Sequence, residues 1–276
     1  MATPVLTRHR LEGTLGEILV DVRAGNRRVA GPAVVLCHGF KGFKDWGFFP
    51  PFADRLARAG YVVVSWNASG SGVDDTGEFV WPERFGRNTF SAELADLESV
   101  LGALDGGAID VARPSSIGLV GHSRGGGIAI LAAARSPRIS ALVTWAAISS
   151  SGRWSAEMQR RWREAGFLEI TNQRTGLVIK LLPDVLDDLE RNNDMLDIAA
   201  AADRIGCPWL VIHGAVDETV KLQEAEELVS RASRPASRVV RSTGHTFGAV
   251  HPFQGMTPAL TEVFDATVEF LGKSLS

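Results

Sequence analysis

The chain has 276 residues, of which 45% are hydrophobic, and a formal net charge of −3. This composition suffices for a large buried core, and weak acidity without a basic tract predicts neither a nucleic-acid partner nor binding to an anionic membrane. No apolar run approaches the roughly 18 residues of a membrane span, and no signal peptide is apparent at the N-terminus, so we expect a cytoplasmic protein.

The two cysteines predict neither a disulfide nor a metal site. Cys37 and Cys207 each lie beside a predicted buried strand, where cysteine commonly serves as a small core residue. Neither belongs to a spacing of Cys and His residues that is typical of metal ligands. We therefore expect no metal and no cofactor.

The order of apolar and polar residues predicts the α/β class. Residues 5–30 alternate in the manner of an antiparallel hairpin, and further on short apolar strands alternate with helices. The predicted strands cover residues 34–37, 61–65, 117–120, 141–145, 208–212 and 237–241, and the predicted helices cover 50–59, 89–104, 124–135, 221–232 and 257–273. This alternation predicts a mostly parallel, twisted sheet flanked by helices, in a single domain over residues 1–276.

One segment, at about residues 151–200, interrupts the alternation. It contains no strand that we expect in the main sheet, yet it is too long for a plain connection. Aromatic and apolar residues recur there at near-helical spacing, at Trp154, Met158, Trp162, Phe167 and Leu168. A small hairpin is predicted over residues 170–179 with its turn at 172–176, followed by helices at 181–189 and 194–202. We expect an insertion on top of the main domain.

The most informative motif is Gly121-His122-Ser123-Arg124-Gly125. It lies between a buried strand and an alanine-rich helix, where a Gly-x-Ser-x-Gly sequence predicts a sharp strand-to-helix turn with an exposed serine hydroxyl. Glycines on both sides allow the close approach that such a turn requires. Ser123 is therefore the predicted nucleophile.

A serine needs a general base, and an acid that orients this base, to act as a nucleophile near neutral pH. His245 follows the last predicted strand and is the favoured base, with His251 as its rival. Asp217 follows the preceding predicted strand and is the favoured acid, because the carboxyl ends of parallel strands meet at one edge of a sheet. Asp203 and Glu218 are the rival acids.

Acyl transfer also requires hydrogen-bond donors for the negative charge that develops on the carbonyl oxygen. The apolar strand that ends at Cys37 is followed directly by His38-Gly39-Phe40. We predict two donors for this oxyanion hole, the backbone N–H of Phe40 and the backbone N–H of Arg124, the residue after the serine.

Together these motifs resemble the α/β-hydrolase superfamily over nearly the whole chain, from Val34 to Leu271. The resemblance is greatest to small esterases related to cinnamoyl and feruloyl esterases, and to compact prolyl-oligopeptidase-like hydrolases. The chain departs from this pattern at residues 65–72, where relatives often carry an Asp-x-Arg-Gly-x-Gly type segment. The resemblance implies an α/β-hydrolase fold, with residues 151–200 forming a cap over the active site.

We expect aromatic residues around the substrate pocket. In the cap these are Trp154, Trp162 and Phe167, and near the pocket entrance Phe43 belongs to an unusually aromatic loop. The alternative is that the cap residues form the cap's own core.

The predicted function is hydrolysis of small to medium carboxylic esters, acyl or aryl, through an acyl-enzyme intermediate. A small peptidase, an amidase or a thioesterase would use the same groups. A non-catalytic ligand-binding protein on the same fold is an alternative of another class, because fold does not determine function. The expected partner is a small-molecule ester, with no nucleic acid and no membrane. The sequence leaves the oligomeric state open, a homodimer included.

Overall fold

The computed structural model describes residues 3–171 and 176–275. Its strands are β1 (Val5–Gly13), β2 (Gly16–Ala24), β3 (Ala33–Cys37), β4 (Val62–Asn67), β5 (Ile117–His122), β6 (Ile139–Trp145), β7 (Leu168–Thr171), β8 (Val178–Leu181), β9 (Trp209–Gly214) and β10 (Pro235–Val240). Its helices are α1 (Phe49–Arg58), α2 (Pro82–Gly86), α3 (Phe90–Gly106), α4 (Arg124–Ala133), α5 (Ala156–Ala165), α6 (Asp184–Arg191), α7 (Ile198–Ala202), α8 (Leu222–Arg231) and α9 (Pro258–Ser274).

Eight strands form the central sheet, in the order β1-β2-β4-β3-β5-β6-β9-β10. The six strands from β4 to β10 in this order run parallel, whereas β1 and β2 form an antiparallel hairpin at one edge and β2 is antiparallel to β4. Strands β3, β4 and β5 are buried along their whole length, as expected where helices cover both faces of a parallel sheet. The predicted fold class, a mostly parallel sheet flanked by helices, is confirmed.

Two apolar layers hold the helices against the sheet. Helices α3, α4, α7 and α8 pack on one face, and α1 and α9 pack on the other. On the second face Trp145 is fully buried between Phe52 and Phe264, with ring centroids 4.7 and 5.8 Å away. Its indole Nε1–H donates to Thr267 Oγ1 at 3.0 Å, so the burial leaves no unpaired donor. Burying a side chain of this size stabilises a fold by roughly 1.5–3 kcal/mol.

The segment between β6 and β9 packs in a small apolar cluster that also includes Phe85 of α2, and Trp162 and Leu181 are among its buried members. Helix α5 begins after Ser155, whose hydroxyl accepts the Met158 N–H at 3.2 Å. Strands β7 and β8 pair antiparallel as the predicted hairpin, with Leu168 opposite Leu181. Residues 172–175 of the predicted turn lie outside the described residues.

Two helix predictions in this segment differ from the structure. The helix predicted from residue 181 begins at Asp184, because Leu181 still belongs to β8 and pairs with Leu168. The helix predicted over residues 194–202 is short and covers Ile198–Ala202. It begins after Asp197, whose carboxylate accepts the Ala200 N–H at 2.9 Å. None of the helices in the described part of the chain is long and apolar enough to cross a membrane.

Candidate active site

Ser123 lies in a strained turn between β5 and α4. Its backbone has φ 56° and ψ −122°, a conformation that costs a non-glycine residue of order 1–3 kcal/mol. The turn depends on its two glycines. A Cβ atom at Gly121 would lie 2.4 Å from the Gly125 oxygen, and one at Gly125 would lie 2.2 Å from the His38 oxygen. The motif is thus folded so tightly that it holds the serine at the carboxyl edge of the sheet.

Asp217 and His245 are brought together from the loops after β9 and β10. His245 Nδ1 lies 2.8 Å from Asp217 Oδ2, and the other carboxylate oxygen accepts the N–H groups of Thr219 and Val220 at 2.8 and 3.0 Å. Burial by itself would raise the pKa of Asp217. The hydrogen bonds from His245 and the two backbone N–H groups outweigh it, and the pKa lies below its ordinary value. The carboxylate is therefore ionised and can hold an imidazole Nδ1–H.

Ser123 and His245 line one cavity of about 370 Å³, together with Phe40, Trp46 and Phe49. Among the hydrogen bonds of residues 3–171 and 176–275, none joins the Ser123 hydroxyl to the His245 ring. Contacts of this kind are often long in hydrolases without substrate and tighten when substrate binds.

The rival residues have other contacts. His251 Nδ1 accepts the Gly47 N–H at 3.1 Å, and its ring packs edge-on against Phe43 at 5.0 Å. Asp203 is exposed and pairs with Arg231 at 3.1 Å. Glu218 is exposed beside Asp217, whose carboxylate is buried. The geometry favours His245 and Asp217 over these alternatives.

The two backbone N–H groups predicted to form an oxyanion hole have no acceptor among the hydrogen bonds of the described residues. The Phe40 N–H lies in a turn that the Gly42 N–H closes by donating to the Gly39 oxygen at 2.9 Å. The Arg124 N–H begins α4, where the first N–H groups have no intrahelical partner. Gly39 allows the two loops to approach each other closely, because a residue with a Cβ atom there would place it only 2.9 Å from Ser123 Cβ.

The side chain of Arg124 has a role that sequence reasoning did not find. It is 5% exposed, its Nε lies 3.1 Å from Glu93 Oε1, and its guanidinium lies 3.9 Å from the centroid of the Phe90 ring. Asn88 Nδ2 donates to the same Glu93 oxygen at 2.6 Å. This ion pair ties the first residue of α4 to α3. The position of Glu93 on the buried face of α3, among Phe90, Leu94 and Leu97, is the sequence signal that could have indicated it.

A second cavity of about 290 Å³ is also lined by Ser123. Phe90, Ile148 and Trp154 give it apolar walls, and Arg124 and Arg153 contribute the basic side chains. Phe40 and Ser123 line both cavities. Ser123 therefore borders two cavities, which suits a reaction that divides a substrate in two.

Of the four residues predicted to surround the substrate, only Trp154 lines a cavity at Ser123 in the described part of the chain. The other three have different contacts. Phe43 is 4% exposed and packs against His251. Trp162 is in the core of the inserted segment, with its Nε1–H donated to the Leu181 oxygen at 2.8 Å. Phe167 lies 4.0 Å from the ammonium of Lys180.

No group of three or more His, Cys, Asp or Glu side chains in the described residues is arranged to hold a metal ion. Cys37 is the last residue of β3, directly before His38, and its side chain is buried in the core. Burial raises the pKa of this thiol to about 12, so it stays protonated and is a poor nucleophile and metal ligand.

The parallel sheet, the strained serine after β5 and the paired acid and histidine on later loops are the features of a serine hydrolase with the α/β-hydrolase fold. The chain belongs to the family described as serine aminopeptidase, S33, whose model matches residues 30–180, more than half of the 276 residues. The resemblance inferred from the motifs is confirmed.

Two curated relatives match part of the chain. An uncharacterized 31.7 kDa protein in the traX-finO intergenic region of Escherichia coli is 30% identical over 170 residues, which cover 61% of this chain and 54% of the relative. The 2,6-dihydropseudooxynicotine hydrolase of Paenarthrobacter nicotinovorans is 24% identical over 221 residues, which cover 79% and 53% of the two chains. The chain thus spans about half the length of the curated relatives it matches.

Several solved structures share the fold at low sequence identity. A putative hydrolase from Agrobacterium vitis S4 has a TM-score of 0.74 at 19% identity, covering 96% of this chain and 99% of its own. Est1E from Butyrivibrio proteoclasticus with ferulic acid bound has a TM-score of 0.70 at 18% identity, covering 96% and 98%. The acylaminoacyl peptidase of Pyrococcus horikoshii has a TM-score of 0.71 at 16% identity, covering 100% of this chain and 42% of its own.

Proposed function

We propose that the protein is a serine esterase that hydrolyses small to medium carboxylic esters. Ser123 is the nucleophile, His245 the general base and Asp217 the acid that orients it. The observation that carries the proposal is the 2.8 Å contact between His245 Nδ1 and Asp217 Oδ2, made at a cavity that Ser123 also lines.

In the proposed acylation step, His245 Nε2 accepts the Ser123 proton while Ser123 Oγ attacks the ester carbonyl carbon. Asp217 keeps the other ring nitrogen protonated and stabilises the imidazolium that forms. The N–H groups of Phe40 and Arg124 donate to the carbonyl oxygen as it becomes negative. Losing one such donor typically costs about 2.7–4 kcal/mol of transition-state stabilisation.

The two cavities then take the two halves of the substrate. His245 must return its proton to the leaving alcohol, so the leaving group occupies the cavity that His245 lines, and the acyl group occupies the second cavity. Water, activated by His245, then hydrolyses the acyl-enzyme. Trp154 and Arg153 belong to the start of the segment 151–200 and line the acyl cavity, which supports a cap function for this segment.

The charges around the acyl cavity favour an ester over the amino-terminal residue of a peptide. An aminopeptidase must bind an α-ammonium group, for which a carboxylate is the natural partner. No carboxylate side chain of the described residues lines this cavity, whereas Arg124 and Arg153 do. Glu93 and Glu224 do not line the cavity, and each is paired with one of these two arginines.

The test compares 4-nitrophenyl acetate, 4-nitroacetanilide, alanine 4-nitroanilide and a matched acetyl thioester, with the Ser123→Ala variant as the control for background hydrolysis. We expect turnover of the oxygen ester by the wild type only, and none of alanine 4-nitroanilide. Turnover of alanine 4-nitroanilide alone would assign an aminopeptidase instead, and preference for the thioester would assign a thioesterase. Binding without turnover of any substrate would indicate a ligand-binding protein.

A further inference from the structure

The charged residues that line the two cavities at Ser123 are all basic. Lys41 lines the cavity assigned to the leaving group, and Arg124 and Arg153 line the acyl cavity. No Asp or Glu side chain in the described part of the chain lines either cavity. The chain as a whole has a net charge of −3, so the positive charge is a local property of the site.

Two of these three cations are already neutralised. Arg124 Nε lies 3.1 Å from Glu93 Oε1, and Arg153 Nη1 donates to both carboxylate oxygens of Glu224 at 2.8 and 2.6 Å. The side chain of Lys41 differs, because it has no ion pair and no hydrogen-bond acceptor among residues 3–171 and 176–275. An exposed, unpaired lysine therefore borders the leaving-group cavity.

The backbone holds Lys41 at this position in a strained conformation. Lys41 lies in the turn from Gly39 to Gly42 and has φ 60°, a left-handed value that glycine adopts freely and lysine does not. The same turn presents the Phe40 N–H and contacts Ser123 through Gly39. Backbone strain of this kind is typical of functional sites, and here it fixes the position from which the Lys41 side chain extends.

We propose that the leaving-group cavity binds esters whose alcohol part carries an anionic group such as a carboxylate, and that Lys41 pairs with this group. Trp46 and Phe49 line the same cavity and provide flat apolar walls, which suit an aromatic hydroxy acid as the leaving group. Hydrolysis breaks the acyl C–O bond, water gives its OH to the acyl carbon and a proton to the alcohol oxygen, and the carboxylate at Lys41 does not react. This inference rests on the proposed function, because His245 defines which cavity holds the leaving group.

The test compares 3-acetoxybenzoate, whose leaving group is anionic, with its neutral methyl ester. The measured quantity is the ratio of kcat/KM for the anionic ester to kcat/KM for the neutral ester. The intrinsic reactivities of the two esters contribute equally to this ratio in every protein, so they cancel when a variant is compared with the wild type. Lys41→Met, Lys41→Glu and Lys41→Arg are compared with the wild type. Lys273 lies on α9 and pairs with Glu269. The matched control is Lys273→Met, which makes the same change in net charge away from the site.

We expect Lys41→Met to lower the ratio by about two- to fivefold, the range of an exposed ion pair, mainly through KM of the anionic ester. Lys41→Glu should lower it further, whereas Lys41→Arg and Lys273→Met should leave it near the wild-type value. The difference between the wild-type ratio and the Lys41→Met ratio should shrink in high salt, because salt screens an exposed ion pair.

An equal ratio in the wild type and all Lys41 variants would overturn the inference, while turnover of the methyl ester by the wild type would leave the esterase proposal intact. If the folded wild type hydrolyses neither ester, the proposed function fails for this substrate class and the inference fails with it. All three replacements keep a Cβ atom at the strained position, and a thermal melt of each variant checks that the turn survives.

Discussion

The ring of His122 holds the loop that carries His245. His122 Nε2 lies 2.9 Å from the carbonyl oxygen of His245, and the centroids of the two rings are 4.7 Å apart. Burial, and then the neighbouring His245, lower the pKa of His122 to about 3. The His122 ring is thus neutral, and because a carbonyl oxygen only accepts, Nε2 carries the proton. The residue before Ser123 therefore positions the backbone of the proposed base.

We predict that His122→Ala lowers kcat for a small ester by about ten- to a hundredfold and leaves KM nearly unchanged. Loss of the contact lets the His245 loop shift, and a displacement of about 1 Å at a reacting group costs rate of this order. His9→Ala, in the first strand, is the matched control and should retain wild-type kcat. A variant with wild-type kcat at an unchanged melting temperature would show that His122 is not a positioning residue.

The low pKa of His122 also predicts a pH dependence of folding. The pKa of His122 is 6.5 in its ordinary state and about 3 in the folded chain. At pH values between these two, the unfolded chain binds a proton at this site that the folded chain does not. Stability is therefore fully present above about pH 6.5 and is lost as pH falls below it, by up to about 1.4 kcal/mol per pH unit.

This dependence is measured by denaturant unfolding of the wild type and of His122→Gln, which has no titrating group at this position. The wild type should lose about 2 kcal/mol more than the variant between pH 7 and pH 5. Parallel curves for the two proteins over this range would contradict the assignment of a neutral, buried His122. The lowered pKa of His38, also caused mainly by burial, affects both proteins alike.

His245 and His251 offer a test of the proposed base. His245→Ala should reduce kcat by about 10⁴-fold or more, because the serine loses its proton acceptor. His251→Ala should keep kcat within about tenfold of the wild type. It should instead lower stability by roughly 1–3 kcal/mol, since the Gly47 N–H loses the acceptor Nδ1. Steady-state kinetics and denaturant unfolding of both variants separate the two roles, and a reversed pattern would move the base to His251.

Replacing Trp154 and Trp162 separately tests the assignment of the acyl cavity. The rings pack edge-on with centroids 5.2 Å apart, but only Trp154 lines the cavity. Trp154→Ala should widen this space and raise the preference for hexanoate over acetate esters by about tenfold. Trp162→Ala should instead destabilise the protein by about 3–5 kcal/mol, the usual cost of emptying a buried aromatic site. Equal changes in acyl preference for both variants would contradict the assignment.

The sequence predicted the main sheet well because each buried strand is a short apolar run with a turn signal at its end. The strand predicted over residues 117–120 is observed as Ile117–His122, and the helix predicted over 257–273 is observed as Pro258–Ser274. The chain order of the motifs likewise indicated which loops carry Ser123, Asp217 and His245, because parallel strands bring these loops to one edge.

Contacts between distant residues could not be predicted in this way. Periodicity identifies the buried face of a helix but not the element that covers it, so it did not distinguish Trp154 at the cavity from Trp162 in the core of the inserted segment. Phe43 is covered by His251, which lies 208 residues further along the chain. The pairing of Arg124 with Glu93 likewise depends on how α3 and α4 pack against each other.

The central claim is that Ser123 is an activated nucleophile, and intact mass after exposure to a fluorophosphonate probe tests it most directly. The measurement is made on the wild type and on Ser123→Ala, with a thermal melt to show that both are folded. We predict a single adduct on the wild type and none on the variant. An unlabelled, folded wild type, or an equally labelled variant, would contradict the claim.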